Sequence, residues 1–70
     1  MIDGRGLSPP EPLERTLAAL ERLPAGDELT VLLECRPHPL FAILKRTGYS
    51  WRETVLDDGT YEIRIQRTGM

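Results

Sequence analysis

The spacing of apolar positions changes along the chain, and each change marks an element. Residues 1–7 are short and glycine-punctuated, with strand propensity in Met1-Ile2 and Leu7. Leu13, Leu17 and Leu20 then recur at helical spacing, with Leu23 one step on and Glu14, Arg15, Glu21 and Arg22 pointing elsewhere. Ser8 is a good N-cap for this helix, Pro9 falls at its first position and Glu11 sits three residues after Ser8 as in a capping box. Pro12 deletes a bond back to the Ser8 carbonyl, so the first turn is expected to be tight. Glu11 and Arg15 form a favourable i,i+4 pair. Pro24-Ala25-Gly26-Asp27 ends the helix.

From Glu28 to Cys35 the period is that of a strand. Leu29, Val31, Leu33 and Cys35 share one face, while Thr30, Leu32 and Glu34 share the other, which suits a central strand. Arg36-Pro37-His38-Pro39 breaks it. Pro39 opens a second helix with Leu40, Ile43, Leu44 and Thr47 on one side, and Gly48 fits the left-handed position that closes it. Residues 50–57 and 60–67 read as a hairpin about a two-residue Asp58-Gly59 turn. That turn would set Leu56 against Tyr61, Thr54 against Ile63 and Arg52 against Ile65, leaving Trp51, Glu53, Val55, Glu62 and Arg64 on the opposite, open face.

The order is β-α-β-α-β-β. It predicts an α/β fold, an α+β two-layer sandwich with a four-stranded mixed sheet and two helices on one face, and right-handed crossovers. The expected core is Leu13, Leu17, Leu20, Val31, Leu33, Leu40, Ile43, Leu44, Ile63 and Ile65.

Length turns this pattern into one domain, 1–70, with a thin core and little room for a deep enzyme pocket. Apolar residues make 40% and the net charge is −2, which argues against disorder. Residues 1–35 carry 3 basic and 7 acidic side chains and residues 36–70 carry 6 and 4; with no basic block, neither nucleic acid nor an anionic membrane is an expected partner. No apolar run is long enough to span a membrane or serve as a signal peptide, and the cytoplasm is the expected location. A single cysteine excludes an internal disulfide and a CxxC metal knuckle.

The stretch Asp3-x-Arg5-Gly6-Leu7-x-x-Pro10-x-Pro12 resembles the D-x-R-G-L-x-C-P-x-P signature of the TusA/SirA family, and Pro24-Ala25-Gly26-Asp27 is similar to that family's turn after helix one. The resemblance implies the same two-layer sandwich. Proteins of that family carry a persulfide on the motif cysteine at a helix N-terminus, where free N–H groups and a partial positive charge favour the thiolate. Here Pro9 stands in that place, so the resemblance implies a retained scaffold without its reactive atom. The start Leu7-Ser8-Pro9-Pro10-Glu11-Pro12 and the stretch Cys35-Arg36-Pro37-His38-Pro39-Leu40 are similar to an uncharacterised branch of the family often associated with hemerythrin-like iron proteins. In that branch the second motif often has His where Cys35 stands. Arg5, Gly6, Leu7, Pro9, Pro10, Glu11 and Pro12 are thus the family-motif positions.

Outside the motif, two readings compete at each candidate. Cys35 is either a thiol nucleophile or soft-metal ligand at the start of helix two, with His38 as base or co-ligand, or a small buried hydrophobe at a strand end. His38 is otherwise an exposed residue between two prolines, and a metal would need further ligands, for which only Glu34 and Glu11 offer themselves. Glu11 is explained by capping alone, and Arg52, Arg64 and Arg67 by solvation. Trp51, Val55 and Arg64 form the candidate docking face, since tryptophan is enriched at interfaces, against the competing reading of Trp51 as a shielded strand aromatic. The expectation is a non-enzymatic accessory module with a protein partner, linked by resemblance to redox or iron proteins, with no cofactor. The alternative is a sulfur- or metal-handling protein acting through Cys35 with His38.

Overall fold

Strand β1 (Ile2–Asp3) leads into helix α1 (Glu11–Glu21), β2 (Glu28–Leu33), α2 (His38–Thr47), β3 (Tyr49–Val55) and β4 (Tyr61–Arg67). These elements come from a computed structural model that describes residues 1–8 and 11–67. The sheet runs β1-β2-β4-β3. β1 is parallel to β2, and β2 and β3 are both antiparallel to β4. The expected order, the mixed four-stranded sheet and the two helices are all present. Among the described residues no helix is long and apolar enough to cross a membrane.

One face of the sheet builds the core. Leu29, Val31 and Leu33 of β2 and Ile63 and Ile65 of β4 are buried with Leu20 of α1 and Leu40 and Leu44 of α2. Leu13 and Leu17 pack around this cluster as partly buried residues. Ile43 is only half-buried, and Phe41 takes the place beside the core that was expected of it. Helix α2 begins with Pro39 in its first turn and ends on Gly48, whose φ of 82° and N–H bond to the Leu44 carbonyl match the predicted left-handed stop. The α1 end is tied from outside: Arg67 Nη1 donates to the Leu23 carbonyl (3.1 Å), and the Tyr49 hydroxyl donates to the Leu20 carbonyl (3.3 Å).

The hairpin register is one residue away from the expected one. The Gly59 N–H donates to the Leu56 carbonyl at 2.9 Å and the Leu56 N–H to the Thr60 carbonyl at 2.8 Å, with Gly59 at φ +87°. The loop is therefore Asp57-Asp58-Gly59, a turn over the two aspartates followed by a left-handed glycine bulge, instead of a two-residue turn. Asp58 Oδ1 accepts the Thr60 N–H at 2.9 Å and holds the bulge. Trp51 now lies opposite Ile65, Glu53 opposite Ile63 and Val55 opposite Tyr61. A one-residue slip exchanges the faces of a strand. The candidate docking face of Trp51, Val55 and Arg64 therefore does not exist: Trp51 and Val55 are on the helix-covered side, and Arg64 is on the open side across from Arg52. Trp51 is partly buried against the core and stacks on Phe41, ring centroids 5.3 Å apart at 10°.

Candidate functional site

Three loops meet at the end of the sheet where both helices begin. The first is the motif loop. Beyond Asp3, the Gly4 N–H donates to the Leu32 carbonyl at 2.7 Å, so the chain stays against β2 for one more residue before turning. Asp3 then folds its carboxylate over the turn: the Arg5 main-chain N–H (3.1 Å), Nε (2.9 Å) and Nη2 (2.9 Å) all donate to it. These side-chain and backbone bonds from Arg5 hold the Asp3 carboxyl down to about 2 and push the Arg5 guanidinium up. Arg5 Nη1 also lies 3.9 Å from Asp58 Oδ2, which links the motif loop to the hairpin tip. The Asp58 carboxyl is itself lowered, first by the Thr60 backbone N–H.

A depressed carboxylate stabilises the fold above its unfolded pKa and stops doing so as pH falls through its folded value. Asp3 should therefore help order this loop through neutral and mildly acidic pH and lose that role only as pH approaches about 2. Asp3→Asn is expected to remove this part of the acid titration, read as the flattened pH dependence of Arg5 and Gly6 amide shifts in NMR. An unchanged profile would mean that the Asp3–Arg5 contact does not order the loop.

Gly6 has φ +82°, a conformation that favours glycine, and its N–H donates to Glu34 Oε1 at 2.7 Å. Glu34 belongs to the second loop, which joins β2 to α2, so this one bond fixes the motif loop to the neighbour of Cys35. Cys35 is exposed. This overturns its reading as a buried strand-end hydrophobe. β2 closes at Leu33, opposite Tyr61, and Cys35 lies in the bend beyond it. Arg36 next to it is clamped on β3: its Nε and Nη2 donate to the two Glu53 oxygens, each at 2.9 Å, which raises the guanidinium pKa.

His38 is the exposed first residue of α2; its N–H donates to the Arg36 carbonyl (3.1 Å) and its ring meets Phe41 edge-on at 6.5 Å. No hydrogen bond joins the His38 and Cys35 side chains, and among the described residues no group of three or more His, Cys, Asp or Glu could hold a metal ion. The two residues share a loop without forming a pair.

Of the remaining motif positions, Pro9 and Pro10 lie outside the described residues. Leu7 is half-buried, and Pro12 offers its carbonyl to the buried Thr16 hydroxyl at 2.8 Å. The capping box is replaced: the Glu11 N–H donates to the Ser8 carbonyl at 3.0 Å, and its carboxylate faces Arg15 at 3.6 Å. The Ser8 carbonyl is free for that bond because Pro12 has no N–H to give it. Glu34, Glu53 and Asp58 hold the three loops together, a role that nothing in the sequence marks. Their partners are a backbone N–H and arginines distant along the chain, and spacing carries no signal for such contacts.

The sequence model of a family described as "Uncharacterized conserved protein (DUF2249)" matches residues 1–67. No curated protein matches. The crystal structure of a SirA-like protein from Desulfitobacterium hafniense is similar to this chain at 31% sequence identity and a TM-score of 0.81, covering 91% of this chain and 90% of that one.

Proposed function

The chain belongs to the family of uncharacterized conserved proteins DUF2249, and on that premise we propose that it is a TusA/SirA-like accessory module that works by contacting another protein and not as a motif-cysteine sulfurtransferase. The observation that carries this is the placement of sulfur. The chain has one cysteine, Cys35, and a proline at position 9, where the resemblance puts the carrier thiol. Proline has neither a nucleophile nor an N–H with which to hold a persulfide anion. What the motif loop keeps is architectural: the Asp3–Arg5 clamp and the Gly6–Glu34 bond. The partner proposed is a redox- or iron-linked protein, as the family resemblance implies.

One observation favours a second reading. Cys35 is exposed, and its neighbour Glu34 is bonded to the motif loop. A thiol displaced to the adjacent loop could accept sulfur at the same end of the sheet. Incubation with a cysteine desulfurase and free cysteine, followed by intact mass, separates the two. The accessory reading expects no gain on the native chain. The second expects a gain of one sulfur that disappears in Cys35→Ser. A stoichiometric gain of that kind would overturn the first reading, and Cys35→Ser itself is expected to fold as the native chain does.

A further inference from the structure

We propose that the free edge of β3 pairs with β3 of a second copy, antiparallel about a two-fold axis at Glu53, joining two sheets into one. The two edges of the sheet are unequal. β1 pairs over two residues, whereas β3 pairs with β4 without interruption over seven, Tyr49 to Val55, and contains no proline. Long, regular edges are what soluble domains usually blunt with bulges, proline or brevity, because their unpaired main-chain groups template another strand.

The direction of those groups follows from the hairpin. The Leu56 N–H bonds to Thr60, so along β3 the residues Thr54, Arg52 and Ser50 turn their main chain inward to β4. The N–H and C=O groups of Trp51, Glu53 and Val55 therefore face outward. Among the described residues no hydrogen bond from another loop or helix covers them.

Side chains choose the occupant and the register. With the axis at Glu53, Val55 of each copy lies against Trp51 of the other. Val55 is the one strand residue among the exposed large hydrophobics, at 57% exposure, and Trp51 is only partly covered by Phe41. On the open face Arg52 then meets Thr54. The two Glu53 side chains approach at the axis, but each already carries its own Arg36 in a two-bond clamp, so neutral pairs meet. An axis at Arg52 would instead set Arg52 against itself, and no acidic group pairs with Arg52 among the described residues. An axis at Trp51 leaves Val55 with no strand opposite it. Of these three registers, the Glu53 axis alone both covers Val55 and opposes no bare charges.

Such an interface is small, and its dissociation constant is expected in the range of about 10–500 µM. Sedimentation equilibrium in reductant, which excludes Cys35 disulfides, should show the 7.9 kDa chain passing to twice that mass as concentration rises. Val55→Lys should raise the dissociation constant at least about tenfold by placing a charge beside Trp51 of the partner copy. Met1→Lys, at the other exposed large hydrophobic, should leave it unchanged. Circular dichroism at low concentration checks that both variants fold. A chain that stays at 7.9 kDa at about 1 mM overturns the proposal and leaves this edge to a strand of a different protein; so does a Val55→Lys variant that associates as the native chain does. The result is independent of Cys35, so failure here leaves the accessory reading standing.

Discussion

Gly4→Ala is expected to destabilise the protein by about 1–3 kcal/mol, and Gly4→Val by more. Gly4 is buried between β2 and the start of α1. A Cβ there would stand 2.7 Å from Leu33 Cδ2, 3.1 Å from the Leu32 carbonyl oxygen and 3.2 Å from Pro12 Cβ. The first of these atoms ends a side chain, but Leu33 is a core residue at 7% exposure and has no empty space to move into. The second is main chain that already accepts the Gly4 N–H. Relief must come from lifting α1 or the motif loop off the sheet, which would also strain the Gly6–Glu34 bond. Urea denaturation measures the loss. Gly6→Ala is the useful comparison, since a Cβ at Gly6 meets nothing within 4 Å and the cost there comes from its positive φ alone. A Gly4→Ala variant as stable as the native chain would mean that α1 does not approach β2 this closely.

Trp51→Ala should cost about 2–4 kcal/mol, because it removes a large ring that covers the β3 end of the core and stacks on Phe41. Its neighbour gives the control. Arg52 points to the open face, and Arg52→Ala should change stability by less than about 0.5 kcal/mol. The pair of measurements reads the hairpin register directly. The opposite outcome, a silent Trp51 and a costly Arg52, would restore the two-residue turn and exchange the faces of β3. Both variants should be compared at low concentration, where self-association does not contribute.

The same two residues show where sequence alone falls short. Within β3, Tyr49, Trp51 and Val55 alternate with Ser50, Arg52 and Thr54, a period-two pattern that itself puts Trp51 on the apolar side. The Asp58-Gly59 pair points the other way, since that dipeptide is a strong signal for a two-residue turn. Asp57 decides the matter: an aspartate on each of the two central positions suits a turn ended by a left-handed glycine, and Asp58 then bonds the Thr60 N–H. Strand and helix order, the Pro39 opening and the Gly48 stop were legible, since each rests on local chemistry. The loop contacts of Glu34, Glu53 and Asp58 were not, because they are bonds between residues brought together only by the sheet. The buried reading of Cys35 fails for a related reason: its alternation with Leu29, Val31 and Leu33 runs past Leu33, where pairing to β4 stops.

The strand order β1-β2-β4-β3 also bears on how the chain is made. β4 is the last strand in sequence, yet it lies between β2 and β3 and supplies Ile63 and Ile65, both fully buried. As the chain leaves a ribosome, β2 emerges with β1 already made on one side, and its other edge waits through α2 and β3 for a neighbour. The hairpin partner that completes β3 is the same strand that completes β2. The sheet therefore closes in one step when β4 arrives, and little of it can be assembled progressively. Until then the β4-side edge of β2 stays unpaired and open to other nascent chains and to chaperones.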